Sequence, residues 1–332
     1  MRLVLLGAGR IGQVHAANIH AHGRAKLAAV MDVNRQAAEA LATKYGCEAI
    51  DDPQKAVALG DGVLVCTSTN THVEMIELAA KHGKPVFCEK PIDLDLGRVD
   101  RCLESVRKAG VPLMIGFNRR FDPHFRSLKE RVHKGEIGRL EVLKITSRDP
   151  APPPAEYVKV SGGLFRDMAI HDLDMARFIL GAEPVSVLAT GSCLVDPSIG
   201  EAGDVDTAMV IMRTAEGVLC HIDNSRRAIY GYDQRIEALG SKGMLQAHNP
   251  SPTTVVCSND AATTSDKPPT FFLERYMEAY RAELERFVNV VDGKTAPDPS
   301  GNDGRLALVL ADAAARSLSE GRWVEVSEVK AS

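Results

Sequence analysis

Along the first 120 residues, short apolar runs alternate with segments in which apolar positions recur every three to four residues. The runs at 2–6, 27–32, 63–67, 85–88 and 112–116 read as strands, and the segments at 11–21, 35–45, 72–82 and 96–109 as helices. Strands bounded by turn residues and separated by helices of about 10–15 residues build βαβ units around a parallel sheet. The first part of the chain, 1–120, therefore reads as one doubly wound domain.

The pattern changes after Gly116. A helix is expected at 123–134, ending at Gly135, then a strand at 140–147 and the proline-rich stretch Asp149-Pro150-Ala151-Pro152-Pro153-Pro154, which reads as a stiff loop. A further helix spans 167–180, stopped by Gly181. Between 185 and 246 lie four runs rich in Val, Ile, Leu and Met, punctuated by turn signals such as Glu216-Gly217 and Ser241-Lys242-Gly243, which favour an antiparallel sheet. Residues 250–268 are polar and read as a mobile loop, and helices at 271–291 and 303–320 finish the chain. The expected fold class is α/β plus α+β, with a second domain over 121–332.

Composition narrows the field without identifying the chemistry. The 332 residues carry 40 Lys+Arg against 44 Asp+Glu, a formal charge of −4, with 45% hydrophobic and 25% charged residues. That is an ordinary globular balance with core enough for two domains. It argues against a nucleic-acid or anionic-membrane partner, which needs a concentrated Lys/Arg stripe. The seven cysteines form no CxxC pair and no cluster at zinc-ligand spacing, so they read as reduced thiols of a cytoplasmic protein. The apolar start is shorter than the roughly 7–15 residues of a signal-peptide core, and no run approaches the ~18–20 apolar residues of a membrane span.

Candidate chemistry begins at Gly7-Ala8-Gly9-Arg10-Ile11-Gly12, a GxGxxG that follows the first strand and opens a helix. The first glycine permits the tight turn, the second lets the backbone approach a pyrophosphate, and the third allows close helix-to-strand packing. Asp32 ends the second strand twenty residues past Gly12, where a carboxylate accepts from adenosine ribose hydroxyls. The same carboxylate would repel the extra phosphate of NADP, so NAD is the expected cofactor, although Arg35 nearby could tolerate that phosphate.

Two further segments carry unexpected polar residues. Cys88-Glu89-Lys90-Pro91 follows an apolar strand, which places Lys90 at the carboxyl edge where open α/β sheets bind ligands. In 162–178, Asp167, His171 and Asp174 are spaced four and then three, so they share one face of an otherwise apolar helix. With no second histidine or cysteine nearby, the spacing is poor for a metal. Beside a dinucleotide domain, the economical reading is alcohol oxidation: His171 as general base, Asp167 orienting and charge-stabilising its imidazole, and Lys90 hydrogen-bonding the reacting oxygen.

GAGRIG, Asp32, CEKP at 88–91, GFNRRFDP at 116–123 and GGLFRDMAIHDLDMARF at 162–178 resemble the glucose-fructose oxidoreductase / inositol dehydrogenase / rhizopine catabolism family, and within it the bacterial myo-inositol 2-dehydrogenases. The similarity continues through DNSRRAIYGYDQRIEALGSKG at 223–243 and FFLERYMEAYRAEL at 271–284. It implies a Rossmann domain joined to a domain with a large, mostly antiparallel sheet, NAD as cofactor, a small polyol as substrate, and a homotetramer built through that sheet. It places the family's catalytic residues on Lys90, Asp167 and His171. The implied cofactor contacts are Gly7, Gly9, Arg10, Ile11, Gly12, Asp32, Glu89 and Lys90. Tyr230, Asn118 and Arg119 join Lys90, Asp167 and His171 as implied substrate contacts; by residue type alone Tyr230 reads equally as an ordinary strand aromatic, and the interdomain segment with Asn118 and Arg119 as a salt-bridge site. The implied reaction is oxidation of a secondary ring alcohol, myo-inositol to its 2-keto form. The alternatives are a sister enzyme for scyllo- or chiro-inositol or a pyranose, and a dinucleotide-binding regulator without turnover.

Overall fold

The computed structural model describes residues 1–331. β1 (Arg2–Leu6), α1 (Arg10–Ala21), β2 (Lys26–Met31), α2 (Arg35–Tyr45), β3 (Glu48–Ala49), α3 (Pro53–Ala58), β4 (Gly62–Val65), α4 (His72–Lys81), β5 (Val86–Glu89), α5 (Leu96–Ala109) and β6 (Leu113–Gly116) follow in turn. Their strands form a parallel sheet in the order β3-β2-β1-β4-β5-β6. This is the doubly wound order, with its switch point between β1 and β4. Leu5 pairs with Val30 on one side and Leu64 on the other, and Leu3 to Leu6 are wholly buried, as strands covered on both faces must be. Local chemistry bounds the helices. The Asn34 side chain accepts from Ala37 N–H at 3.2 Å to start α2, and Gly46 ends it in the left-handed conformation at φ 67°.

The rest of the chain runs α6 (Pro123–His133), β7 (Leu140–Arg148), α7 (Ala155–Ser161), α8 (Ile170–Leu180), β8 (Pro184–Ser192), α9 (Pro197–Glu201), β9 (Thr207–Thr214), β10 (Leu219–Ser225), β11 (Asp233–Gly240), β12 (Gly243–Ala247), β13 (Val256–Ser258), β14 (Thr263–Ser265), α10 (Phe272–Val291), α11 (Gly301–Glu320) and β15 (Val324–Glu325). Seven strands make a mixed sheet in the order β12-β11-β7-β10-β9-β8-β15, antiparallel throughout except where β7 lies parallel to β10. Strands alternate in burial. Ala208, Val210 and Met212 of β9 and Cys220 and Ile222 of β10 are buried, while Met209, Ile211, Leu219, Leu239 and Met244 stand exposed on the opposite face.

The stretch read as four apolar runs holds five strands, β8 to β12, with the Ser241–Lys242 turn between β11 and β12. Residues 250–268 are not featureless: β13 and β14 pair antiparallel within them, through backbone bonds that leave every side chain of both strands exposed. The chain divides into two compact units. One takes in Met1–Phe121 and Glu278–Leu308, the other Asp122–Met277 and Val309–Val329. Glu278–Leu308 lies with the first unit, so the second is not continuous in sequence. The cause is packing. Phe287 of α10 stacks against Phe87 of β5 with ring centroids 5.7 Å apart, and Gly62 of β4 leaves the space that Val291 fills. Among the described residues no helix is long and apolar enough to cross a membrane.

Candidate functional site

The glycines after β1 divide their work as the motif requires. Gly7 adopts φ 105°, and a side chain there would run into the Cys66 carbonyl at the end of β4. A side chain on Gly12 would strike the Gly7 carbonyl, so α1 can approach β1 closely only with glycine at that place. Gly9, by contrast, has nothing within 4 Å of where a Cβ would stand, and α1 starts behind it with no side-chain cap. An open concavity at an uncapped helix N-terminus suits a pyrophosphate. Asp32 is pinned at the tip of β2: its Oδ2 accepts from Ala8 N–H at 2.6 Å and its Oδ1 from Asn34 N–H at 2.7 Å. Arg35 is engaged elsewhere, with Glu39 at 2.7 Å and Asp51 at 3.1 Å. These residues fit a dinucleotide, and NAD over NADP.

Lys90 follows β5 directly and is half-buried. His72, at the start of α4, stands within hydrogen-bond distance of the Pro91 carbonyl at 2.8 Å and the Thr67 carbonyl at 3.0 Å, tying the turn after β5 to the turn after β4. Burial depresses its pKa, a cost that those two carbonyls partly offset. Glu89 ends β5 and is buried. Its carboxylate points into the core and accepts from His15 Nε2 at 2.7 Å. Asn118 and Arg119 occupy the 3₁₀ turn Asn118–Phe121 after β6 and are 3% and 5% exposed. Their neighbour Arg120 makes ion pairs to Asp298 at 3.1 Å and Asp303 at 2.9 Å.

In the second unit, Asp167 and His171 lie on one continuous helical run, but its first turn is π-helical over Phe165–Ala169 before α8 begins at Ile170. Such widened turns are frequent at functional sites, because they re-aim side chains that α-helical spacing would stack. Asp167 is fixed by two residues that the sequence reading misses. Tyr157 of α7 donates its hydroxyl to Oδ1 at 2.9 Å, and both terminal nitrogens of Arg226 stand 3.4 Å from Oδ2. Arg226 is 2% exposed, so this charge pair is screened little by solvent. His171 is half-buried with Nδ1 shielded from solvent. Asp174, grouped with them by spacing, is buried and pairs with Arg177 at 3.6 Å.

Tyr230 sits in the turn between β10 and β11. Its hydroxyl donates to Asp233 Oδ2 at 2.6 Å and accepts from Arg148 Nη1 at 3.2 Å. Burial, and then the Asp233 bond, push the phenol above its ordinary pKa, so it stays neutral. Lys90, Asn118 and Arg119 thus belong to the first unit, and Asp167, His171 and Tyr230 to the second.

A doubly wound sheet with a glycine-rich turn after its first strand and a carboxylate at the end of its second is the build of a dinucleotide-binding domain. Residues 1–117 match the oxidoreductase family NAD-binding Rossmann fold, and residues 125–246 match the GFO/IDH/MocA C-terminal domain. The chain belongs to that family. It is 51% identical over 331 residues to the inositol 2-dehydrogenase of Rhizobium meliloti (strain 1021), covering 98% of this chain and 99% of that one. It is also 51% identical over 332 residues to the myo-inositol 2-dehydrogenase of Thermotoga maritima, covering 99% of each. The crystal structure of scyllo-inositol dehydrogenase from Lactobacillus casei with bound NAD(H) and scyllo-inositol superposes with a TM-score of 0.91 at 30% identity, covering 98% of this chain and 99% of that one.

Proposed function

We propose that this protein oxidises a ring hydroxyl of an inositol, myo-inositol at carbon 2, passing a hydride to NAD. The observation that supports this reading most is the near-full-length identity to two inositol 2-dehydrogenases, with the Asp167–His171 helix and Lys90 in place. When bound, NAD supplies the hydride acceptor. Gly7, Gly9, Arg10, Ile11 and Gly12 hold its pyrophosphate against the N-terminus of α1, Asp32 accepts from its ribose, and Lys90 borders both cofactor and substrate.

His171 takes the hydroxyl proton on Nε2, because Nδ1 is buried. Asp167, held by Arg226 and Tyr157, orients the imidazole and balances the positive charge that develops on it. The Lys90 ammonium donates to the same substrate oxygen and stabilises its developing negative charge. Asn118, Arg119 and Tyr230 contact the remaining hydroxyls. The exposed apolar sheet face carrying Met209, Ile211, Leu219, Leu239 and Met244 supports a homotetramer assembled through that sheet. We place the enzyme in the cytoplasm, consistent with its unpaired cysteines.

The test is a panel of initial NADH-formation rates on myo-, scyllo- and chiro-inositol and on glucose, with wild type and His171→Ala side by side. The expected outcome is fastest turnover on myo-inositol and a kcat about 10²–10⁴-fold lower in the variant, with NAD binding retained. A pyranose oxidised much faster than every inositol overturns the substrate, and near-normal turnover by His171→Ala overturns the base.

A further inference from the structure

The first unit contains a buried polar cluster that the reaction above does not use. His15 of α1, Glu89 at the end of β5 and Glu283 of α10 are 1%, 9% and 0% exposed, and their polar atoms lie within 4.8 Å of one another. Both carboxylate oxygens of Glu283 lack a hydrogen-bond partner among the described residues. The cluster is not built for a metal. Ligands about 2.0–2.2 Å from a tetrahedral ion stand about 3.3 Å apart, whereas His15 Nε2 and Glu89 Oε1 are separated by 2.7 Å, a hydrogen bond.

We propose that His15 is a positioning residue for Lys90, holding the carboxylate of Glu89 in the core, with Glu283 packed beside the pair, so that the lysine next to Glu89 leaves β5 in a single orientation. Three observations carry this. Glu89 immediately precedes Lys90, so where its side chain is anchored sets where the next residue starts. His15 lies three residues beyond Gly12 on the helix that forms the cofactor cradle, which links that helix to the lysine turn. The pocket for Glu89 is shaped to receive it: a Cβ on Gly116 of β6 would come within 2.9 Å of Glu89 Oε2, and the rings of Phe87 and Tyr280 pack edge-on against His15 at 5.0 and 5.9 Å.

Charge arithmetic assigns the states. Two ionised carboxylates in so dry a site would repel each other strongly. Burial, and then the neighbouring Glu89, push the carboxyl of Glu283 well above the ordinary range, so it is the neutral acid at working pH. Beside it, His15 Nε2 and Glu89 Oε1 share their hydrogen bond at 2.7 Å.

The inference rests on the catalytic reading of Lys90, so its test is a double-mutant cycle. Glu89→Ala and His15→Leu are each expected to lower kcat about 10–100-fold, the cost of misplacing a reacting group by a fraction of an ångström to an ångström. The Kd for NAD should stay within about threefold. Glu283→Ala should lower kcat in the same sense, and Glu283→Gln, which copies the shape of the neutral acid, should recover it. In a Lys90→Ala background the Glu89→Ala loss should disappear. Unchanged kcat in both Glu89→Ala and His15→Leu overturns the proposal. So does a Glu89→Ala loss that persists in full without Lys90, or a Glu283→Gln as impaired as Glu283→Ala. If Glu89→Ala does not fold, His15→Leu completes the same cycle. Failure of the lysine reading shows separately, as full turnover in Lys90→Ala alone.

Discussion

Replacing Arg226 by Met tests whether Asp167 owes its place to the buried guanidinium. Both terminal nitrogens lie 3.4 Å from Asp167 Oδ2, a separation at the long limit of hydrogen bonding, so attraction of charges is the larger part of the contact. At 3.4 Å a unit charge pair is worth about 5 kcal/mol at an effective dielectric of 20 and about 1 kcal/mol in bulk water. The net effect is smaller, because a guanidinium that is 2% exposed has already lost its hydration, and methionine recovers that cost. Two consequences follow with different sizes. Stability should fall by up to about 3–5 kcal/mol, because methionine fills the volume but leaves the Asp167 carboxylate without its buried partner. Turnover should fall about 10–100-fold, the equivalent of the roughly 1.5–3 kcal/mol carried by a hydrogen-bonded charge. Steady-state rates at saturating NAD and inositol, with a melting curve on the same preparation, separate the two. Arg226→Lys should recover little, because a single ammonium cannot present two nitrogens to one oxygen. A kcat within twofold of wild type in Arg226→Met, with the fold intact, refutes the reasoning.

Three more outcomes follow from the geometry. Gly9→Ala should fold with a near-normal Tm, because its Cβ meets nothing, yet lose at least tenfold in NAD affinity by occupying the pyrophosphate cradle; equal affinity places the cofactor elsewhere. Asp32→Ala should weaken NAD binding more than NADP binding, measured as the ratio of the two Kd values, and an unchanged ratio points away from Asp32 as the discriminator. Asp206 is fully buried, and although burial opposes its ionisation, the N–H groups of Leu194, Asp196 and Val195 and the Thr207 hydroxyl hold its carboxyl down at about 2. Its folded pKa lies below the unfolded value, so it contributes about 2 kcal/mol of stability above pH ~4 that fades as pH falls toward 2. Asp206→Asn should flatten that part of the acid-denaturation curve, and an unaltered curve contradicts the assignment.

Elements whose signals are local are legible in the residues. The alternation of strands and helices to Gly116, the GxGxxG with its trailing Asp32, and the helix carrying Asp167 and His171 each announce themselves within a window of a few turns. Contacts made across the fold do not. The apolar stripe of α10 marks Phe287 and Val291 as inward-facing but does not show that they cover β5 and β4, so the first unit's reach to Leu308 is invisible in periodicity alone. Arg226 and Tyr157 meet Asp167 only because β10 and α7 arrive there, 59 residues after it and 10 before it. Glu89 reads as a cofactor neighbour from its motif, and only its partner His15, 74 residues earlier, shows that the side chain turns inward. The π-helical turn at Phe165–Ala169 has no marker in residue type, because the five residues would serve an α-helix equally well.

The central claim, that this family member is an inositol dehydrogenase whose base is His171, meets its most direct test in single-turnover hydride transfer from myo-inositol to enzyme-bound NAD, followed across pH in wild type and His171→Ala. The account predicts rapid NADH formation by wild type that declines in acid as the imidazole becomes protonated, and a variant that binds NAD normally but transfers hydride at least a hundredfold more slowly. Equal transfer rates in the two proteins, or no transfer from any inositol by wild type, would contradict it.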